Sequence, residues 1–194
     1  MAVPSPTGAG LRPADCQNVA AVPSRFLSCF TILALIGVSL AGPASAATPT
    51  ASQIRKAVNG AKRSRQLWAT INICNTRRHP DTVGIRGQVP ALGFSSSISI
   101  AISLDFWNAQ TKRFKPDPGT KRLISLGSPS RGVHQQGVTF RFDPHAGRFR
   151  GSATFIWRRG GKLLGKTDRV TTGGHRNADF GDPHKFSAAT CTIR

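Results

Sequence analysis

Two hydrophobic periods divide the chain. After a polar, proline-containing entry at 48–52, Ile54, Ala57, Val58 and Ala61 recur at helical spacing between Gln53 and Arg65. They lie opposite Arg55, Lys56, Lys62, Arg63 and Arg65, the pattern of an amphipathic helix. The apolar stripe is thin and Asn59-Gly60 interrupts it, so the segment reads as a short helix or flexible lead-in beside a domain. The competing reading is a basic arm touching an anionic surface.

From Leu67 the period drops to two and stays there. Leu67–Cys74 and Phe186–Ile193 each alternate small or apolar residues with polar ones, as half-buried strands do, and each carries a cysteine at or near its end. Val83, Ile85 and Val89 alternate with Gly84, Arg86 and Gln88. Ser97–Trp107 is the clearest strand: Ile98, Ile100, Ile102, Leu104 and Phe106 face one way, Ser99, Ala101, Ser103 and Asp105 the other. Its small outer residues predict a sheet packed on one side and wet on the other. Lys112–Thr120 with its two prolines reads as a loop, Leu123–Leu126 as a short strand, and Gly127–Gln136 as a second loop. Val138, Phe140 and Phe142 form the next inward set before a turn at Asp143-Pro144-His145. Phe149, Gly151, Ala153, Phe155 and Trp157 share one face against Arg150, Ser152, Thr154 and Arg158. Gly160-Gly161 signals a hairpin whose return strand is Leu163–Thr172, and Thr171–Lys185 reads as a loop. About eight short strands with turn-punctuated spacing predict an all-β fold, an antiparallel β-sandwich.

Residues 1–47 carry a different pattern. Phe26–Leu40 is an apolar run preceded by Arg25 and followed by Gly42-Pro43 and Ala44-Ser45-Ala46-Ala47. That is the layout of a secretory signal peptide with a small-residue cleavage site. A membrane anchor is the alternative, but the run falls short of the roughly 20 residues a spanning helix needs, so no membrane span is expected after cleavage. The expected organisation is therefore a signal peptide at 1–47, a basic arm at 48–65 and a β-sandwich domain at 66–194. Removing 47 of 194 residues leaves 147, enough chain to bury roughly 70% of its unfolded surface.

Cleavage also changes the cysteine count. Cys16 and Cys29 leave with the leader, and Cys74 and Cys191 remain. An even count in an exported chain favours one disulfide, here tying the first strand to the last; two unpaired thiols are the alternative.

At this point a resemblance appears. LWATINICNT and HPDTVGIRG, the later TFIWRRGGK and RVTTGG, and the closing FSAATCTI are together similar to a group of uncharacterised secreted actinobacterial proteins, over nearly all of Leu67–Ile193. The resemblance implies an immunoglobulin-like sandwich with one disulfide in an extracellular or cell-envelope location. It brings no catalytic residues with it.

Charge bears on function. The whole chain has 27 Lys and Arg against 8 acidic residues, all aspartate; without Arg12, Arg25 and Asp15 the remainder holds 25 and 7, a net +18. Such a surface attracts polyanions: nucleic acid, anionic envelope polymers or acidic lipids. Arginine in place of lysine is what high G+C coding produces, but that does not account for so few acids. Arg150 and Arg158 fall on the outer face of one strand, and Arg159, Lys162, Lys166 and Arg169 follow around the hairpin, so these six are the candidate polyanion-binding residues. Aromatic residues fall at inward or strand-end positions, which leaves no stacking platform for specific nucleic-acid recognition.

Residues for catalysis are few. His79-Pro80-Asp81, Asp143-Pro144-His145 and Asp182-Pro183-His184 could be assembled into a metal site, but Asp-Pro is also a common turn opening. No zinc-protease, nucleophile-elbow or catalytic-cysteine pattern occurs, and no cofactor is expected. The expectation is an exported, non-catalytic binding module whose partner is an anionic cell-envelope polymer. The alternatives are an extracellular hydrolase, which would require His79, Asp81, His175, Asp179 or His184 to converge in one cleft, and a secreted inhibitor or adhesion protein.

Overall fold

Alternation along Ser97–Asn108 governs the packing. Ile98, Ile100, Ile102 and Leu104 are buried, while Ser97, Ser99, Ala101 and Ser103 stay half-exposed on the other face. The structure, a computed structural model, describes residues 48–142 and 146–194. The expected signal peptide and the Asp143-Pro144-His145 turn lie outside the described residues. In chain order these form helix α1 (Ala51–Arg63) and strands β1 (Trp68–Cys74), β2 (Thr82–Pro90), β3 (Ser97–Asn108), β4 (Arg113–Ser125), β5 (Val133–Arg141), β6 (Gly147–Arg159), β7 (Lys162–Val170) and β8 (Thr190–Ile193).

The strands make two antiparallel sheets that face each other like a sandwich. One has the order β1-β2-β5; the other runs β4-β3-β6-β7, with β8 pairing the opposite end of β6. Ile71, Val83, Ile85 and Val89 from the first sheet meet Ile100, Ile102, Phe155 and Trp157 from the second, all of them buried. Burying a side chain of this size contributes roughly 1.5–3 kcal/mol. Cys74 and Cys191 are bonded, with Cα atoms 5.4 Å apart, so the bridge joins β1 in one sheet to β8 in the other.

Four expectations need correction. Helix α1 runs unbroken through Asn59-Gly60. Thr50 and Gln53 form a reciprocal capping box at its start, and Val58 and Ala61 are buried. A Cβ on Gly60 would meet nothing, so this glycine faces open space and costs only its propensity, about 1 kcal/mol. Second, of the expected loop Lys112–Thr120 only Lys112 stays in a turn, and Arg113–Thr120 is the first part of β4. β4 is an edge strand, where Pro116 is tolerated opposite Asp105, and Pro118 falls within residues 118–121, which have no paired residue on β3. Register slips opposite Ile102–Leu104, and there the Thr120 hydroxyl takes the Leu104 N–H at 2.9 Å. Third, the Gly127–Gln136 loop ends early, at Val133, where β5 begins pairing with Pro90.

The fourth correction concerns the two cysteine strands. Phe186–Ile193 is not one strand: Ala188 bonds the β1 edge at Ile71, and Thr190–Ile193 then crosses to β6. Nor is β1 half-buried, since Trp68 to Ile73 are all buried. The segment between β7 and β8 folds across the outer side of β1. His175 stacks on Trp68 at 4.5 Å, Ser187 bonds the Thr70 hydroxyl at 2.7 Å, and the Asn72 amide donates to the carbonyls of Asp179 and Phe180. Among the described residues, no helix is long and apolar enough to cross a membrane.

Candidate functional site

The outer face of the five-stranded sheet is built from the residues that strand alternation turns away from the core. Its centre is low and polar: Ser99, Ala101 and Ser103 on β3 sit opposite Ile156, Thr154 and Ser152 on β6. Arginines and aromatics gather at its two ends.

At one end Asp105 is buried, with a relative exposure of 3%. It receives Arg150 Nη2 at 2.7 Å and the Ser152 hydroxyl at 2.8 Å. The Arg150 guanidinium lies 4.6 Å from the Phe114 ring centre, and Arg148 lies over both Trp107 and Phe114. Trp107 and Phe114 themselves meet edge to face at 5.1 Å. Around the corner is a cleft of about 480 Å³ lined by Phe106, Phe142, Phe149, Arg141, Arg148 and Asp117 among others. Phe142 and Phe149 stack at 4.7 Å to form part of its wall.

At the other end the β6–β7 hairpin turns at Gly160 and Gly161, whose φ values of 52° and 76° suit a primed two-residue turn. Arg159 pairs with Lys162 and Arg158 with Leu163 across it. Arg158 and Lys162 are exposed, and Arg159 lies over Phe94 at 5.7 Å. Two of the expected pattern's own chemistries are thus separated: eight residues of strand, roughly 26 Å, lie between Arg150 and Arg158.

The six candidates therefore fall into different settings. Arg158, Arg159 and Lys162 are together at the hairpin, and Lys166 is exposed nearby, opposite Ile156. Arg150 is neutralised by Asp105 at the far end. Arg169 turns toward α1 and donates to the Lys62 carbonyl, so it serves the helix–sheet contact. Residues the sequence reading passed over are Arg148, Trp107 and Phe114. Their signal was present: continuing the β3 alternation from Asp105 puts Trp107 outward, and Arg148 precedes Arg150 by two.

The aspartates and histidines named for a hydrolase site do not share a cleft. His79 approaches Asp182 at 3.9 Å, and Asp182 also accepts the Thr76 hydroxyl at 2.5 Å. His175 instead stacks on Trp68, and its Nε2 bonds the Thr172 hydroxyl at 2.8 Å. Burial lowers its pKa from the ordinary histidine value. Asp81 occupies a turn with φ 52°. Among the described residues, no three of His, Cys, Asp or Glu come together as a metal site would require.

On the opposite sheet, the outer face of β2 presents Arg86 beneath Phe180, at 4.9 Å. Burial lowers the pKa of this guanidinium, and Asp179 offsets part of the effect. Comparison of the chain with protein-family models, with curated proteins and with solved structures returns no match.

Proposed function

We propose that this chain is an exported, non-catalytic binding module that attaches to an anionic polymer of the cell envelope through the cations clustered at the β6–β7 hairpin of its five-stranded sheet. The observation that carries the reading is the set of unpaired cations at the β6–β7 hairpin. Arg158, Arg159, Lys162 and Lys166 project from a rigid antiparallel pair, and the ion pairs among the described residues engage none of them. Cations held on a sheet lose little freedom when a polyanion docks, and each contact releases a counterion. Two facing antiparallel sheets support an immunoglobulin-like sandwich. A disulfide closing 117 residues supports an oxidising, extracellular setting and removal of a signal peptide.

Retention on immobilised heparin across a salt series tests the proposal, with a neutral sandwich domain of similar size as reference. The protein should elute at clearly higher salt. Replacing Arg158, Arg159 and Lys162 together by Gln should flatten the dependence of log affinity on log salt by roughly one unit per cation removed. Elution alongside the neutral reference would end the proposal.

A further inference from the structure

Arg86 stands where a cation is hard to leave alone. It lies on β2 between Thr70 of β1 and Gly137 of β5, in a cleft of about 370 Å³ also lined by Asn72, Ile73, Thr139 and Phe180. Its Nε is closed off from solvent and has no hydrogen-bond partner. Its guanidinium takes part in neither ion pair among the described residues. A buried guanidinium N–H without an acceptor is costly, and the Asp179 carboxylate offsets only part of the burial without hydrogen-bonding this group.

The surroundings hold the cleft open. Phe180 is 80% exposed, so burial does not explain its place over the guanidinium. Its φ of 55° is a left-handed conformation that a bulky side chain adopts only under constraint. The constraint is visible: the Asn72 amide donates to the Asp179 carbonyl at 2.9 Å and to the Phe180 carbonyl at 3.1 Å. On the other side β5 approaches β2 so closely that a Cβ at Gly137 would stand 2.2 Å from the Ile85 carbonyl oxygen. Glycine there leaves no side chain to cover Arg86.

We propose that this cleft is a binding site for a small oxyanion, a phosphate or carboxylate group, whose oxygens accept from Arg86 while the group that carries it lies against the Phe180 ring. The planar guanidinium fork matches either oxyanion, and Thr139 lines the same cleft. The site is on the three-stranded sheet and uses none of the cations assigned to polymer binding, so either proposal can fail without the other.

The test is an amide NMR titration of the intact protein with sodium phosphate, sodium acetate and phenyl phosphate, each against sodium chloride at equal ionic strength. Saturable shifts centred on Arg86, Gly137 and Phe180 are expected with at least one oxyanion and not with chloride; phosphate against acetate identifies the preferred group. Arg86→Gln should weaken that binding at least about tenfold. Phe180→Ala, at an exposed position, should weaken phenyl phosphate but leave inorganic phosphate unchanged. Linear shifts equal to those of chloride, shifts centred on the β6–β7 hairpin, or undiminished binding in Arg86→Gln would overturn the proposal. Should Arg86→Gln fail to fold, the position of the wild-type shifts and the Phe180→Ala comparison decide it alone.

Discussion

His175 shows how a single residue can be placed by parts of the chain far from it in sequence. Its ring lies against Trp68, nearly parallel at 13°, and its backbone N–H donates to the Ser187 hydroxyl at 2.8 Å. Partial desolvation disfavours the imidazolium, so the folded-state pKa lies below the usual value near 6.5. The sign of the consequence follows. The unfolded chain binds the proton more readily, so this contribution to stability is complete above about pH 6.5 and is lost as pH falls toward the depressed folded value. A proton NMR titration of the His175 ring should give a midpoint below that of an exposed histidine in the same spectrum, and His175→Gln should flatten the fall in melting temperature below pH 6.5. A midpoint at the ordinary histidine value near 6.5 would refute the desolvation argument. The arrangement was not legible in the sequence, because nothing near His175 announces Trp68 as its neighbour.

At the scale of elements, what was legible follows from how local the cause is. The alternation of β3 and β6 is written in consecutive residues, and so is the diglycine turn after β6. β6 and the turn emerge as read, and β3 does so as far as Leu104. Beyond it Phe106, expected inward, is exposed, and Asp105, expected outward, is buried against Arg150 and Ser152. The edge strand β4 was hidden because its prolines are tolerated only where no neighbour needs their N–H, a fact of sheet order rather than of sequence. The double burial of β1 and β2 was hidden because the covering segment arrives about a hundred residues later. The same limit applies to the site: the hairpin cations could be read from spacing, whereas the Arg86 cleft depends on Phe180. Helix α1 gives a prediction at this scale. It rests on β7 where Gly165 leaves room for Val58, and a Cβ at Gly165 would lie 2.4 Å from Val58 Cγ1. Gly165→Ala should therefore lift the helix, weaken the Arg169–Lys62 hydrogen bond and cost about 1–3 kcal/mol through overpacking. Limited proteolysis should then cut within 48–65 faster than in the wild type while the sandwich stays intact. An unchanged cleavage rate would mean that the contact yields without strain.

For the whole molecule the decisive question is what the Cys74–Cys191 bond adds to ends that already touch. Ala188 is hydrogen-bonded to Ile71, and Thr190–Ile193 pairs with β6, so the native fold holds its last segment in place without the bridge. The bond therefore acts chiefly on the unfolded chain, where it closes a loop across a sequence separation of 117 residues. Loop-closure entropy for that length gives roughly 4–5 kcal/mol as an upper value, comparable to the low end of the whole net stability of a domain. At about 2–4 °C per kcal/mol for a chain of this size, the Cys74→Ser/Cys191→Ser protein should melt roughly 8–20 °C lower. Two mechanisms could give such a loss, and they differ in what happens to β8. If the bond restrains the unfolded state, the protection of the amides at positions 191 and 193 against native-state hydrogen exchange should fall only by the global loss, in step with core amides such as Ile100. If the bond instead pins a strand that would otherwise fray, those amides should exchange far faster than the core. The four-residue length of β8 favours fraying, but Cys191 and Ile193 are 1% and 2% exposed and packed in the shared core, and that burial favours the first outcome. Parallel loss of protection in β8 and β3 is the expected result, and preferential loss in β8 would transfer the bond's role from the unfolded chain to the native edge.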